Sequence, residues 1–186
     1  MELRFNLLFL GLVALAAMAM TASEPVAALD PHALGTRHLR ALEDRFAREP
    51  GDHDLALRLA EAYLERDRPE LAITALRAAD ARVLDAPDVV HRLSQAYEAM
   101  GRLDEAESAA ERAYALCERA VDWADGELTV PPPLHPCTAQ VLAVLDVHRV
   151  AVHHLLGFGV HDPRHDGRTR LAYDLAMRRA RVALAE

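Results

Sequence analysis

HDLALRLAEAYLERDRPELAITALRAADARVLDA, residues 53–86, is followed directly by PDVVHRLSQAYEAMGRLDEAESAAERAYALCERA, residues 87–120. Leu59, Ala62, Tyr63, Ala72 and Ala79 of the first segment recur 34 residues later as Leu93, Ala96, Tyr97, Ala106 and Ala113. A fixed period of this size marks stacked supersecondary units, each too small to bury its own apolar face. The alternative is a plain helical bundle with chance self-similarity. The expected fold is all-α: a short α-solenoid of antiparallel helix pairs, with two clear repeats and degenerate flanking units.

Spacing within the period places the elements. In Leu55–Arg66 and Val89–Met100, apolar and small residues recur at three- and four-residue steps, as a helix with one buried stripe requires. Asp67-Arg68-Pro69 and Gly101-Arg102-Leu103 interrupt both patterns at the same place. Gly101 can adopt the left-handed conformation that ends a helix, and Pro69 is tolerated at the start of the next one. Second helices are expected over Glu70–Ala81 and Asp104–Ala120, with Ala62, Ala72, Ala96 and Ala106 small where two helices approach closely.

These residues resemble the tetratricopeptide repeat pattern, W-x2-L-G-x2-Y followed by small, aromatic and Pro positions. The first unit supplies Leu59, Ala60, Tyr63, Ala72, Leu76 and Ala79, and the second Leu93, Ser94, Tyr97, Gly101, Ala106, Ala110 and Ala113. Ala56 and Val90 stand at the Trp position, and Ala60 and Ser94 replace the first Gly. Leu42 and Pro50 fit the second half of an earlier unit, which predicts a helix over His32–Glu49. The repeat region is therefore expected to cover residues 32–120.

A degenerate C-terminal helix pair is expected over 138–186. Val141, Leu145, His148, Val152 and Leu155 form one seam, flanked by Val144, Val147, Ala151, His154 and Phe158, which predicts a strongly buried helix over Thr138–Phe158. Gly167 and Ala172 repeat the spacing of Gly101 and Ala106 and introduce a last helix to about Leu184. Gly157–Asp166 between them is too long for a tight turn.

The ends and the insertion bear on location. Glu2 and Arg4 precede an apolar run from Phe5 to Met20, and Ala17-Met18-Ala19 and Met20-Thr21-Ala22 offer small residues for a signal peptidase. Residues 1–22 are expected to be a signal peptide or an uncleaved membrane anchor, and 23–31 a linker; only the uncleaved form would touch a membrane. Either form puts the rest of the chain outside the cytoplasm, since Arg4 stays inside. The absence of lysine and the abundance of Ala and Arg suggest a bacterial coding sequence, so the expected location is the periplasm or cell envelope. Two cysteines, Cys117 and Cys137, fit that compartment as a disulfide across a Pro-rich insertion at 121–137; two free buried thiols are the alternative.

Charge and motifs narrow the function. The net charge is −8, which argues against general nucleic-acid binding. Residues 24–130 carry 23 acids and 13 arginines, whereas residues 131–186 carry five acids and seven arginines. The basic end is either a solvated helix face or a dock for an acidic partner. Histidines 135, 148, 153, 154, 161 and 165 fall in the last third. Their spacings do not suit a helical metal pair; only His161 and His165, with Asp162 and Asp166 nearby, leave a metal-binding or catalytic alternative open. His148 and His154 are expected to be partly buried with hydrogen-bond partners, and His153 to face outward. No Gly-rich phosphate loop, H-E-x-x-H, G-x-S-x-G or dinucleotide fingerprint occurs, so no catalytic residue, metal or cofactor is assigned and the protein is not expected to be an enzyme.

The resemblance implies a binding module holding a peptide or protein segment in a concave groove lined by the first helix of each pair. Carried onto this chain, the groove residues are Asp54, Leu57, Glu61 and Leu64, then Asp88, His91, Gln95 and Glu98. That mixed acidic and apolar set implies a basic or apolar partner segment. A structural subunit of an envelope complex is the remaining alternative.

Overall fold

A computed structural model describes residues 31–124, 126 and 137–183. The expected leader at 1–22, nearly all of the linker, and Pro131–Pro136 of the insertion lie outside the described residues. The chain divides into two compact units, Met1–Arg40 and Ala41–Glu186. Helix α1, Pro31–Arg48, runs through the boundary. In the second unit follow α2 (His53–Leu64), α3 (Pro69–Arg77), α4 (Ala81–Leu84), α5 (Pro87–Ala99), α6 (Leu103–Ala124), α7 (Ala139–Gly157) and α8 (Arg168–Ala183). No strand occurs among the described residues, and the fold is an all-α, tetratricopeptide-like solenoid of helix pairs.

The helix boundaries have local causes. Asp52 caps α2, its carboxylate accepting from the Leu55 N–H at 2.9 Å, and Pro69 and Pro87 start α3 and α5, where a missing N–H costs nothing. Both first helices end alike. The Arg68 N–H donates to Tyr63 O and the Arg102 N–H to Tyr97 O, each at 2.9 Å, around left-handed Asp67 (φ 57°) and Gly101 (φ 71°). Helix α7 ends the same way, Val160 N–H donating to Leu155 O around Gly159 (φ 62°). The third unit's helix-ending glycine is thus Gly159, and after a long connection α8 begins directly after Gly167.

Two second helices differ from expectation. Helix α3 stops at Arg77, because the Asp80 N–H turns away to donate to Pro50 O at 3.1 Å; the short α4 follows before Pro87. Helix α6 runs on through 121–124, so the irregular insertion begins later than expected. The disulfide joins Cys117 on α6 to Cys137, with Cα atoms 5.2 Å apart.

Small residues set the interhelix distances. Ala56, Ala60, Ala72, Ala96, Ala106 and Ala113 are fully buried, and Leu76, Val89, Val90 and Leu155 fill the spaces between them. Helix α5 packs on both α2 and α3, and α7 packs on both α6 and α8. Helix α8 lies along α7, where Leu103, Leu155, Val160 and Ala172 form one apolar cluster and Val150, Ala151 and Ala176 another. The expected burial of α7 holds only for its second half. Val141 and Val144 are 40% and 56% exposed, while Leu145, His148, Val152 and Leu155 are buried.

Candidate functional site

Helices α2 and α5 lie side by side and carry the eight groove candidates. His53 Nε2 is 2.9 Å from Asp88 Oδ1, and the Arg92 guanidinium is 3.6 Å from Glu61, so both contacts bridge the two helices. Arg92 also donates to Gln95 Oε1 at 2.9 Å. Asp54 and Glu61 are exposed, and Leu57, Leu64, His91 and Gln95 are half-buried. Arg92 belongs to this face, although the repeat pattern does not assign it a groove position.

Glu98 has a different place. Its side chain is only 12% exposed and points into a buried polar chain that ties α5 to α7 and α8. Ser94 Oγ donates to Ala106 O at 2.6 Å and lies 3.0 Å from His148 Nε2. On the other edge of the ring, His148 Nδ1 lies 3.0 Å from Tyr173 OH, which is 2.8 Å from Glu98 Oε2. The His91 ring meets His148 edge-on, with centroids 4.7 Å apart. Counting back seven positions from the helix-ending Tyr63, Tyr97 and Leu155 reaches Ala56, Val90 and His148, so the histidine takes the place where the repeat pattern has Trp.

The protons of this chain can be counted. The Ser94 hydrogen goes to Ala106 O, so the Ser94–His148 contact needs a hydrogen on Nε2. The Tyr173 hydroxyl donates to Glu98 Oε2 and lies beside the unprotonated Nδ1 edge of a neutral His148. Burial sets these states. It pushes the Glu98 carboxyl above its ordinary range, against the Tyr173 hydrogen bond. It lowers His148 to about 3, with the neighbouring His91 adding to the effect, and raises Tyr173 with help from Glu98. His91 is itself lowered to about 4, first by burial and then by Arg92, against Asp88. The 3.7 Å approach of His148 to Glu98 is therefore a neutral contact rather than an ion pair.

A Ser–His–Glu order suggests a nucleophile, a base and an orienting acid. Here Ser94 is fully buried and its hydrogen is committed to a helix carbonyl, so the arrangement holds three helices together rather than attacking a substrate. The expectation that His148 is buried and hydrogen-bonded matches this geometry. His154 is half-buried and stacks on Phe158 with centroids 5.9 Å apart. His153 faces outward and meets Glu107 at 2.9 Å. His165 lies 2.9 Å from Asp162 Oδ2, and among the described residues no three His, Cys, Asp or Glu side chains converge as a metal site would require. The metal alternative gains no support.

Further contacts brace the array. The Arg77 and Arg102 cations lie 5.6 and 4.9 Å from the Tyr97 ring centroid, and Tyr63 OH donates to Glu43 at 2.7 Å. The connection before α8 is pinned as well. Arg164 pairs with Asp67, and a Cβ on Gly101 would run into the His161 carbonyl oxygen.

The helix pairs and their shared face define a repeat scaffold. A tetratricopeptide repeat family model matches residues 87–119, which are α5 and most of α6. No curated protein and no solved structure matches the chain. The family match supports a protein-interaction module.

Proposed function

We propose that the α2–α5 face receives a peptide or protein segment, and that the protein is an exported scaffold of a bacterial envelope. The observation that carries this reading is the pairing of the two first helices through candidate groove residues, Asp88 to His53 and Glu61 to Arg92. It leaves Asp54 and Glu61 on the outer side and the half-buried Leu57 and Leu64 between them. Acidic groups beside apolar patches suit a basic or apolar segment. Glu98, turned inward, is left out of the contact surface.

The test is capture of partners from the native envelope fraction, followed by titration of the captured partner. Asp54→Lys combined with Glu61→Lys weakens binding about tenfold or more, the equivalent of about 1.4 kcal/mol. Unchanged affinity removes this face from the site. The apolar run expected to be a leader and the Cys117–Cys137 bond both suit an oxidising compartment. A reporter enzyme active only outside the cytoplasm, fused after α8, checks that placement; an inactive fusion counts against export.

A further inference from the structure

At the C-terminal end of the solenoid no further helix among the described residues packs on the last pair. Each seat between paired helices takes the next helix in the array: α5 packs on α2 and α3. Between α7 and α8 an apolar groove of about 300 Å³ lies open, lined by Gln140, Val144 and Val147 of α7 and by Met177, Ala180 and Arg181 of α8. Val144 and Met177 are 56% and 43% exposed, and Val182 beyond them is exposed too. An apolar surface of this kind at the end of a repeat array marks a contact site.

Its charge says what fits. Helix α8 carries five arginines and one acid, Asp174. Arg168 is held by Asp166, but Arg170, Arg178, Arg179 and Arg181 are exposed and pair with no carboxylate among the described residues. On α7 the single acid, Asp146, is engaged by Arg149. The seat is thus apolar at its floor and cationic along the α8 rim. We infer that the α7–α8 groove docks an amphipathic helix of another protein, seated by its apolar stripe and flanked by acidic residues that face Arg181. A recessed seat between two helices suits a rod better than a flat lipid surface, and a second copy's α8 would bring like charges together. This site is separate from the α2–α5 face and its occupant has the opposite charge.

The test uses the purified chain and a synthetic helical peptide with one leucine stripe flanked by glutamates, beside a lysine-flanked twin and anionic phosphatidylglycerol vesicles. The acidic peptide binds saturably and more weakly as salt is raised, and the lysine twin fails to bind. Val144→Asp and Arg181→Glu each weaken the acidic peptide about tenfold or more, while Glu61→Lys leaves it unchanged. These are exposed positions, so unchanged melting temperatures show that the variants remain folded. Absence of saturable binding, equal binding of both peptides, or indifference to Arg181→Glu overturns the assignment. Arg181-dependent binding to vesicles without peptide binding overturns it in favour of a membrane. A concentration-dependent dimer abolished by Val144→Asp does so in favour of self-association.

Discussion

The joint between the first and second helix pairs differs in kind from the joint between the second and third. At the first, α5 settles on α2 and α3 through buried alanines, Val89 and Val90, with the polar contacts His53–Asp88 and Glu61–Arg92 left near solvent. At the second, a buried hydrogen-bond chain runs from Ala106 O through Ser94, His148 and Tyr173 to Glu98, and a disulfide ties α6 to the residue just before α7. Where the period holds, apolar shape fills the buried part of the joint and polar contacts lie towards its edge. Where the period breaks, directional contacts take over, because a buried polar group is costly unless every partner is in place.

The largest expected effect breaks the second joint at its centre. His148→Ala removes a buried ring together with its bonds to Ser94 and Tyr173, and lowers stability by about 4 kcal/mol in denaturant titration. Reducing Cys117–Cys137, or replacing both residues by serine, releases the loop and costs about 3 kcal/mol, read as a lower melting temperature under reductant.

Acid acts on the same joint. His148 and His91 titrate near 6.5 when unfolded but near about 3 and about 4 in the fold. Between pH 6.5 and 4 the unfolded chain holds more protons, so their contribution is complete above 6.5 and falls steadily as the pH drops towards 4. Glu98 acts in the opposite sense. Its raised value makes its contribution complete below the ordinary 4.5 and lost as the pH rises through the folded value. Glu98→Gln keeps an acceptor for Tyr173 and removes that opposing slope. Its stability should therefore rise more steeply with pH above 4.5 than the parent's; an unchanged slope would show that Glu98 is already ionised.

The smallest effect belongs to the first joint. Asp88→Asn weakens the half-exposed bridge to His53 and costs less than about 1 kcal/mol.

The contrast also explains what could be read from the chain. Tyr63 and Tyr97, their buried alanines and the helix ends at Asp67 and Gly101 were legible because local geometry repeats with the period. Apolar spacing overstated the burial of α7, since Val141 and Val144 show the same periodicity on an uncovered face as on a core one. Of the candidate site, the facing of α2 and α5 was legible. The inward turn of Glu98 was not, because its partners come from α7 and α8, remote in sequence. A signal existed in two departures from the repeat pattern: Ser94 at a Gly position, and a histidine within the apolar seam of α7.

The edge contact between His91 and His148 has a spectroscopic consequence. His91 belongs to the α2–α5 face, and its ring current falls on an imidazole whose Nε2 hydrogen is sealed from water by Ser94. That hydrogen should exchange slowly and give a resolved downfield signal in a proton–nitrogen correlation spectrum. Any segment that settles on His91 and tilts its ring will shift the signal, so the protein carries its own reporter of occupancy without an added label.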